Sequence, residues 1–149
     1  MTYEAIIDGA RGINYFGGGY RMAQTLNEGD RQLGYNWTFW ERILKPLLAE
    51  LNEKSPLHDA LLAPDSKLPL KAEGAPDIEF TVREVAGQIF ILACKREGQT
   101  AQVTFKGLPT GVTGGDVLYE SPRKIEVKNG QFTDWFGPEE VHVYRLQKS

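Results

Sequence analysis

Few residues in this chain could do chemistry, and few of those converge. Its two histidines, His58 and His142, lie in different segments, and a single cysteine, Cys94, sits in an apolar run. One thiol excludes an internal disulfide, and no second histidine or cysteine falls at ligand spacing, so no metal and no cofactor are expected. His142 alternates with Val141 and Val143, which places it on the polar side of a strand, in a structural or solvent-facing role. Gly17-Gly18-Gly19 follows a short β-prone run but lacks the Gly-Lys-Ser/Thr ending of a phosphate loop, so it reads as a turn. Glu28 and Asp30 could pair for acid–base work, yet no strand holds them. Asn36-Trp37-Thr38 matches a glycosylation sequon and is read as chance.

Aromatic residues are the more suggestive feature. Tyr15, Phe16, Tyr20, Tyr35, Trp37, Phe39 and Trp40 fall within one stretch. A sugar ring presents C–H groups on its faces, and these stack on the negative face of an aromatic ring. Trp40 and Phe39 are better explained as the apolar side of a helix. That leaves Tyr15, Tyr20, Tyr35 and Trp37 as candidate carbohydrate-binding residues, and carbohydrate as the partner they imply. The net charge of −3 comes with no basic stripe, which argues against nucleic acid. No apolar run approaches the roughly 20 residues that cross a bilayer, and no signal peptide is visible. The compartment is left open.

Several elements must position these residues. Tyr3, Ile6, Ile7 and Ala10 are at helical spacing, so residues 3–10 should form a helix ended by Gly9 and Gly12. Residues 13–16 should be a short strand, and residues 20–37 a long loop. A helix should start at Thr38, with Thr38 and Glu41 as a capping box. Its apolar stripe is Trp40, Ile43, Leu44, Leu47, Leu48 and Leu51, with Pro46 kinking it. A second short helix should occupy 56–62, capped by Ser55. Residues 64–76, rich in proline and lysine, read as a linker.

Beyond the linker the hydrophobic period changes to two. Strands are expected at 78–83, 88–95, 100–106, 116–120, 124–128, 131–135 and 140–146, with Asn129-Gly130 as a type I′ hairpin turn. Seven short strands with regular turns indicate an antiparallel sandwich or barrel. The predicted fold class is α+β: a helical N-terminal segment (1–63), a linker (64–76), and an antiparallel all-β sandwich (77–149) on which the helices pack.

The residues Glu4-Ala5-Ile6-Ile7-Asp8-Gly9-Ala10-Arg11-Gly12-Ile13-Asn14-Tyr15-Phe16 resemble the end of a TIM-barrel glycoside hydrolase, where a helix leads into the eighth barrel strand. The helix from Thr38 would then be the closing barrel helix. Residues 77–146 resemble the β-sandwich that follows the barrel in many such enzymes, and 132–144 are similar to its final strand pattern. The resemblance places Tyr15, Phe16 and the loop 17–37 beside the active-site face of a barrel. It also implies that the two catalytic carboxylates would lie on strands four and seven, which this sequence does not contain, so no catalytic residue carries over. The chain reads as a C-terminal remnant and a non-catalytic accessory domain of a glycoside hydrolase-like protein. The rival readings are a stand-alone carbohydrate-binding module and a protein-interaction or assembly domain. Without the upstream barrel, residues 3–51 would leave apolar surface open, and a homo-oligomer is expected.

Overall fold

A computed structural model describes residues 1–15 and 40–148. The chain divides into two compact units, one made of Met1–Arg11 with Asp59–Ser149 and the other of Gly12–His58.

The first unit is built on eight strands: β1 (Lys71–Glu73), β2 (Ile78–Val85), β3 (Gln88–Lys95), β4 (Ala101–Lys106), β5 (Val112–Leu118), β6 (Arg123–Glu126), β7 (Gln131–Phe136) and β8 (Val141–Lys148). They form a three-stranded sheet, β1-β4-β7, and a five-stranded sheet, β2-β3-β8-β5-β6. Every pairing is antiparallel. The expected β-sandwich-like α+β character is therefore present. The core sits between the sheets. Phe105 of β4 meets Phe80 of β2 at 5.6 Å and Tyr144 of β8 at 5.8 Å, both edge-on, and stacks on Phe132 of β7 at 5.0 Å. Each such aromatic pair adds about 0.5–1.5 kcal/mol to the area it buries.

Helix α1 (Thr2–Ile7) packs on β2 and β3 and buries Tyr3 and Ile6. It ends as the sequence indicates: Gly9 has φ 99° and donates to the Ile6 carbonyl at 3.0 Å. The cover explains β3. Ile89, Ile91 and Ala93 face the core, but Phe90, Leu92 and Cys94 on the opposite side are just as buried.

Turn chemistry is equally local. Asn129 and Gly130 have φ 52° and 70°, the two positive values that a type I′ turn needs. Gly115 lies where β5 slips register against β8, and a side chain there would strike the Arg145 carbonyl.

Several expectations change. The linker contains β1, which pairs with β4 from Lys71↔Lys106 to Glu73↔Thr104. Three residues are too few to show alternation, and lysine and proline are what an edge strand carries. Strand β5 begins at Val112, four residues earlier than expected, because glycines 114 and 115 mask its pattern. Ile13, Asn14 and Tyr15 form no strand, having no neighbouring strand to pair with among the described residues; Phe16 lies outside them. His142 is not on a solvent-facing side: it is 4% exposed.

In the second unit, Trp40–Leu44 is a π-helical turn that leads into helix α2 (Lys45–Leu51). Pro46 lies inside the continuous helical run 40–51, just after the change from π- to α-helical turns, a local break in the regular hydrogen bonding of the kind a proline brings. None of the stripe residues is buried. Thr38 lies outside the described residues, and Glu41 pairs with Lys45 at 2.9 Å. Ser55 accepts from the Leu57 amide at 3.0 Å. Helix α3 (His58–Leu62) starts two residues later than expected, and all but its first residue belong to the first unit.

Candidate functional site

The most distinctive surface is the outer face of the three-stranded sheet. Strand β7 reads Gln-Phe-Thr-Asp-Trp-Phe and alternates strictly. Phe132, Asp134 and Phe136 point inward, while Gln131, Thr133 and Trp135 point outward. Opposite them on β4 stand Lys106, Thr104 and Gln102. Residues directly opposite on one face bring their Cβ atoms to about 4.5–5.5 Å, and the Thr104 and Thr133 hydroxyls share a hydrogen bond of 2.8 Å. Lys106 pairs with Glu73 at 2.5 Å, and Lys71 stands opposite Lys106 on β1. Trp135 is 58% exposed, with neutral amide and hydroxyl groups beside it.

Behind Trp135 lies a half-buried polar network that joins the two sheets. The Trp135 carbonyl is 3.0 Å from His142 Nε2, and its amide donates to Asp134 Oδ1 at 2.9 Å. His142 Nδ1 lies 2.7 Å from Glu120 Oε1. Arg123 donates to Glu120 at 2.7 Å and pairs with Asp134 at 2.8 Å. Tyr144 donates its phenol proton to Asp134 Oδ2 at 2.8 Å. Burial and the Asp134 carboxylate beside it push the Tyr144 phenol well above its ordinary range. Burial alone would favour a neutral Arg123, but its bonds to Glu120 and Asp134 outweigh that and hold it charged. Strand β7 is the outer strand of its sheet, and these side chains satisfy backbone groups that a further strand would otherwise take. Tyr119 enters the network's turn at φ 64°, an uncommon value for a residue with a side chain.

Two clefts carry charge. One, of about 470 Å³, is lined by Glu4, Pro76, Asp77, Glu79, Arg96 and Glu97. Arg96 pairs with Glu4 at 3.1 Å and Glu79 at 2.9 Å, and the buried Lys95 pairs with Asp77 at 2.6 Å. The other, of about 320 Å³, lies over the bare backbone of Gly114 and Gly115, where Arg145 holds Asp116 at 2.9 Å. Asp77 and Asp116 are held below the ordinary carboxylate range by their bonds to Lys95 and Arg145, and Glu84 by the Ser66 hydroxyl. Among the described residues no group of three or more metal-binding side chains forms.

Of the four candidate aromatics, Tyr15 is described and is 40% exposed. Tyr20, Tyr35 and Trp37 lie outside the described residues, as do the glycines 17–19, Glu28, Asp30 and the sequon. His58 is half-buried on α3. Cys94 is buried, and burial pushes its thiol up to about 11, which leaves it inert near neutral pH. Trp135 was not singled out by its residue type. The signal that finds it is parity: it shares a strand with Phe132 and Phe136 but has the opposite phase.

The fold and this face define a β-sandwich-like domain with a polar, aromatic-bearing outer sheet surface. No protein family matches the chain by sequence, and no curated protein matches it. Among solved structures, it has a weak likeness to a glycoside hydrolase family 30 subfamily 8 xylanase, Xyn30A, from Clostridium acetobutylicum. The TM-score is 0.43 with 12% sequence identity, over 49% of this chain and 21% of the xylanase chain. No described helix is long and apolar enough to cross a membrane.

Proposed function

We propose that this chain is a non-catalytic accessory part of a glycoside hydrolase-like protein. The observation that supports the non-catalytic half is the state of three described carboxylates. Asp77, Glu84 and Asp116 are all pulled below their usual range by cationic or hydroxyl donors. A glycosidase needs the opposite for one member of its pair, a carboxyl kept protonated to deliver a proton to the leaving group. The glycoside hydrolase half rests on the resemblance of residues 4–16 and 132–144 to the end of the barrel and the last sandwich strand. Glycan binding is a second reading with its own support in the exposed Trp135. An assembly role rests on Trp40 and Ile43, which are 36% and 54% exposed.

The test is a panel of chromogenic α- and β-glycosides incubated with the full chain. Rates at the blank are expected. Turnover that disappears in Glu28→Gln or Asp30→Asn variants would overturn the reading. Sequencing upstream of the Met1 codon tests the other half. A coding frame for barrel strands bearing two carboxylates is expected there, and unrelated sequence would count against it.

A further inference from the structure

We infer that the outer face of the three-stranded sheet, centred on Trp135, binds an extended, uncharged polysaccharide chain. The inference deepens the carbohydrate reading and rests on it, but it uses a surface distinct from the N-terminal aromatics.

Exposure is the first ground. A tryptophan is among the largest apolar side chains, and Trp135 leaves 58% of itself open on a sheet whose other outward residues are polar. An isolated exposed indole on a polar field suits a ligand that is itself apolar on its faces and hydroxylated at its rim. A pyranose ring has that distribution. The groups around Trp135 are of the matching kind. Gln102 stands directly opposite it, and the bonded Thr104 and Thr133 hydroxyls come next along the strands. Amides and hydroxyls both donate and accept, as sugar hydroxyls do. None of the three is charged. The charged residues of this face lie toward β1: Lys106 and Glu73 pair with each other, and Lys71 stands opposite Lys106, away from the indole. Among the described residues no cation of this face stands next to Trp135.

Shape is the second ground. Gln131, Thr133 and Trp135 repeat at every second residue, so the row runs roughly 13 Å at about 3.3 Å per residue. That is an open, linear track and not a pocket, which fits the middle of a polymer better than a free sugar.

Rigidity is the third. His142 and Asp134 hold the Trp135 carbonyl and amide, and Glu120, Arg123 and Tyr144 hold those two in turn. A fixed platform loses little conformational freedom when a ligand docks. Two buried rings, His142 and Tyr144, and the charged groups Glu120, Arg123 and Asp134 are thereby committed to one backbone position on an edge strand, beneath the exposed indole.

The experiment is native affinity electrophoresis of the full chain through gels containing xylan, mixed-linkage β-glucan, hydroxyethyl cellulose or galactomannan, followed by calorimetry on oligosaccharides of whichever polymer retards it. At least one neutral polymer should retard the wild type, and added salt should not release it. Trp135→Ala should weaken binding by at least about tenfold, the size expected for a central tryptophan, and Trp135→Phe by less. If Trp135→Ala does not fold, Gln102→Ala carries the same test and should also bind more weakly. No retardation by any neutral polymer overturns the proposal, as does a Trp135-dependent dimer in light scattering without retardation. Retardation that is unchanged in the Trp135 and Gln102 variants overturns this surface and leaves the carbohydrate reading standing. The glycoside assay is independent of both outcomes.

Discussion

The two sheets present opposite outer faces. On the five-stranded sheet the outward residues of β3 are Phe90, Leu92 and Cys94, all buried, with Val143 of β8 paired beside Leu92. Helix α1 lies against β2 and β3. On the three-stranded sheet the outward residues are Lys71, Glu73, Gln102, Thr104, Lys106, Gln131, Thr133 and Trp135, and all are exposed or half-exposed. A strand buried on both sides cannot alternate, and β3 reads as the unbroken run Ile-Phe-Ile-Leu-Ala-Cys. A strand with one wet side must alternate, as β7 does. The difference teaches that loss of alternation signals a cover, here a helix that lies more than eighty residues earlier in the chain.

The largest expected effect breaks the covered face. Leu92 is 1% exposed, so Leu92→Ala removes packed methyl groups and leaves a cavity on the buried outer side of the sheet. The expected loss is about 2–5 kcal/mol by urea denaturation. Ile6→Ala, on the helix side, should fall in the same range, since Ile6 is 8% exposed. If both variants lose under about 1 kcal/mol, well below that range, α1 is not a necessary cover.

That long-range cover was the part of the fold hardest to read from sequence. The strands and hairpins were legible because alternation and Asn129-Gly130 are local signals. The helix at Thr2–Ile7 was legible too, but nothing in its residues says which sheet it covers. Strand β1 stayed hidden because an edge of three residues has no period. The network around His142 stayed hidden for another reason. Glu120, Arg123, Asp134, His142 and Tyr144 come from β6, β7, β8 and the turn after β5, and only the sandwich brings them together. Trp135 was visible as a residue, but its exposure depends on the phase of β7 and on what lies above the sheet.

A middle-sized effect sharpens the comparison at the boundary between the sheets. Tyr144 belongs to the five-stranded sheet, and Asp134, which accepts its proton, to the three-stranded one. Arg123 and Glu120 complete the surroundings. Tyr144→Phe should cost about 1–2 kcal/mol, a hydrogen bond to a charged acceptor, with Arg123 still compensating Asp134. The pH dependence follows from the directions. Folding raises the Tyr144 phenol, so its contribution is complete below the unfolded value of 10.0 and is lost as pH rises beyond it. Asp77 and Asp116 are lowered, so theirs is complete above 3.8 and is lost as pH falls through their folded values. Glu84, lowered from 4.5, adds to the loss on the acid side, and Cys94, raised from 9.0 to about 11, adds to the loss on the alkaline side. Stability should therefore be flat between 4.5 and 9.0 and fall outside both. Tyr144→Phe should lessen the fall on the alkaline side alone, leaving the share that Cys94 adds. An unchanged alkaline limb would remove Tyr144 as one of its causes.

The smallest effect belongs to the bare face, and it is the more demanding check because it expects almost nothing. Thr133 sits on the open side of β7, with Thr104 as its directly opposed partner at 2.8 Å. In Thr133→Ala the lost hydroxyl bond is replaced by water, since both positions reach solvent. The exposed surface buries no additional polar atom, and no cavity forms. Alanine has a lower strand preference than threonine, but the whole measured range of that preference is about 1 kcal/mol. Surface substitutions of this kind stay within about 0.5 kcal/mol. Urea denaturation of Thr133→Ala should therefore give a midpoint close to the wild type, with an unchanged slope. A loss comparable to that of Leu92→Ala would mean that this face is covered in solution after all. The asymmetry between the two sheets, and with it an accessible Trp135, would then fail.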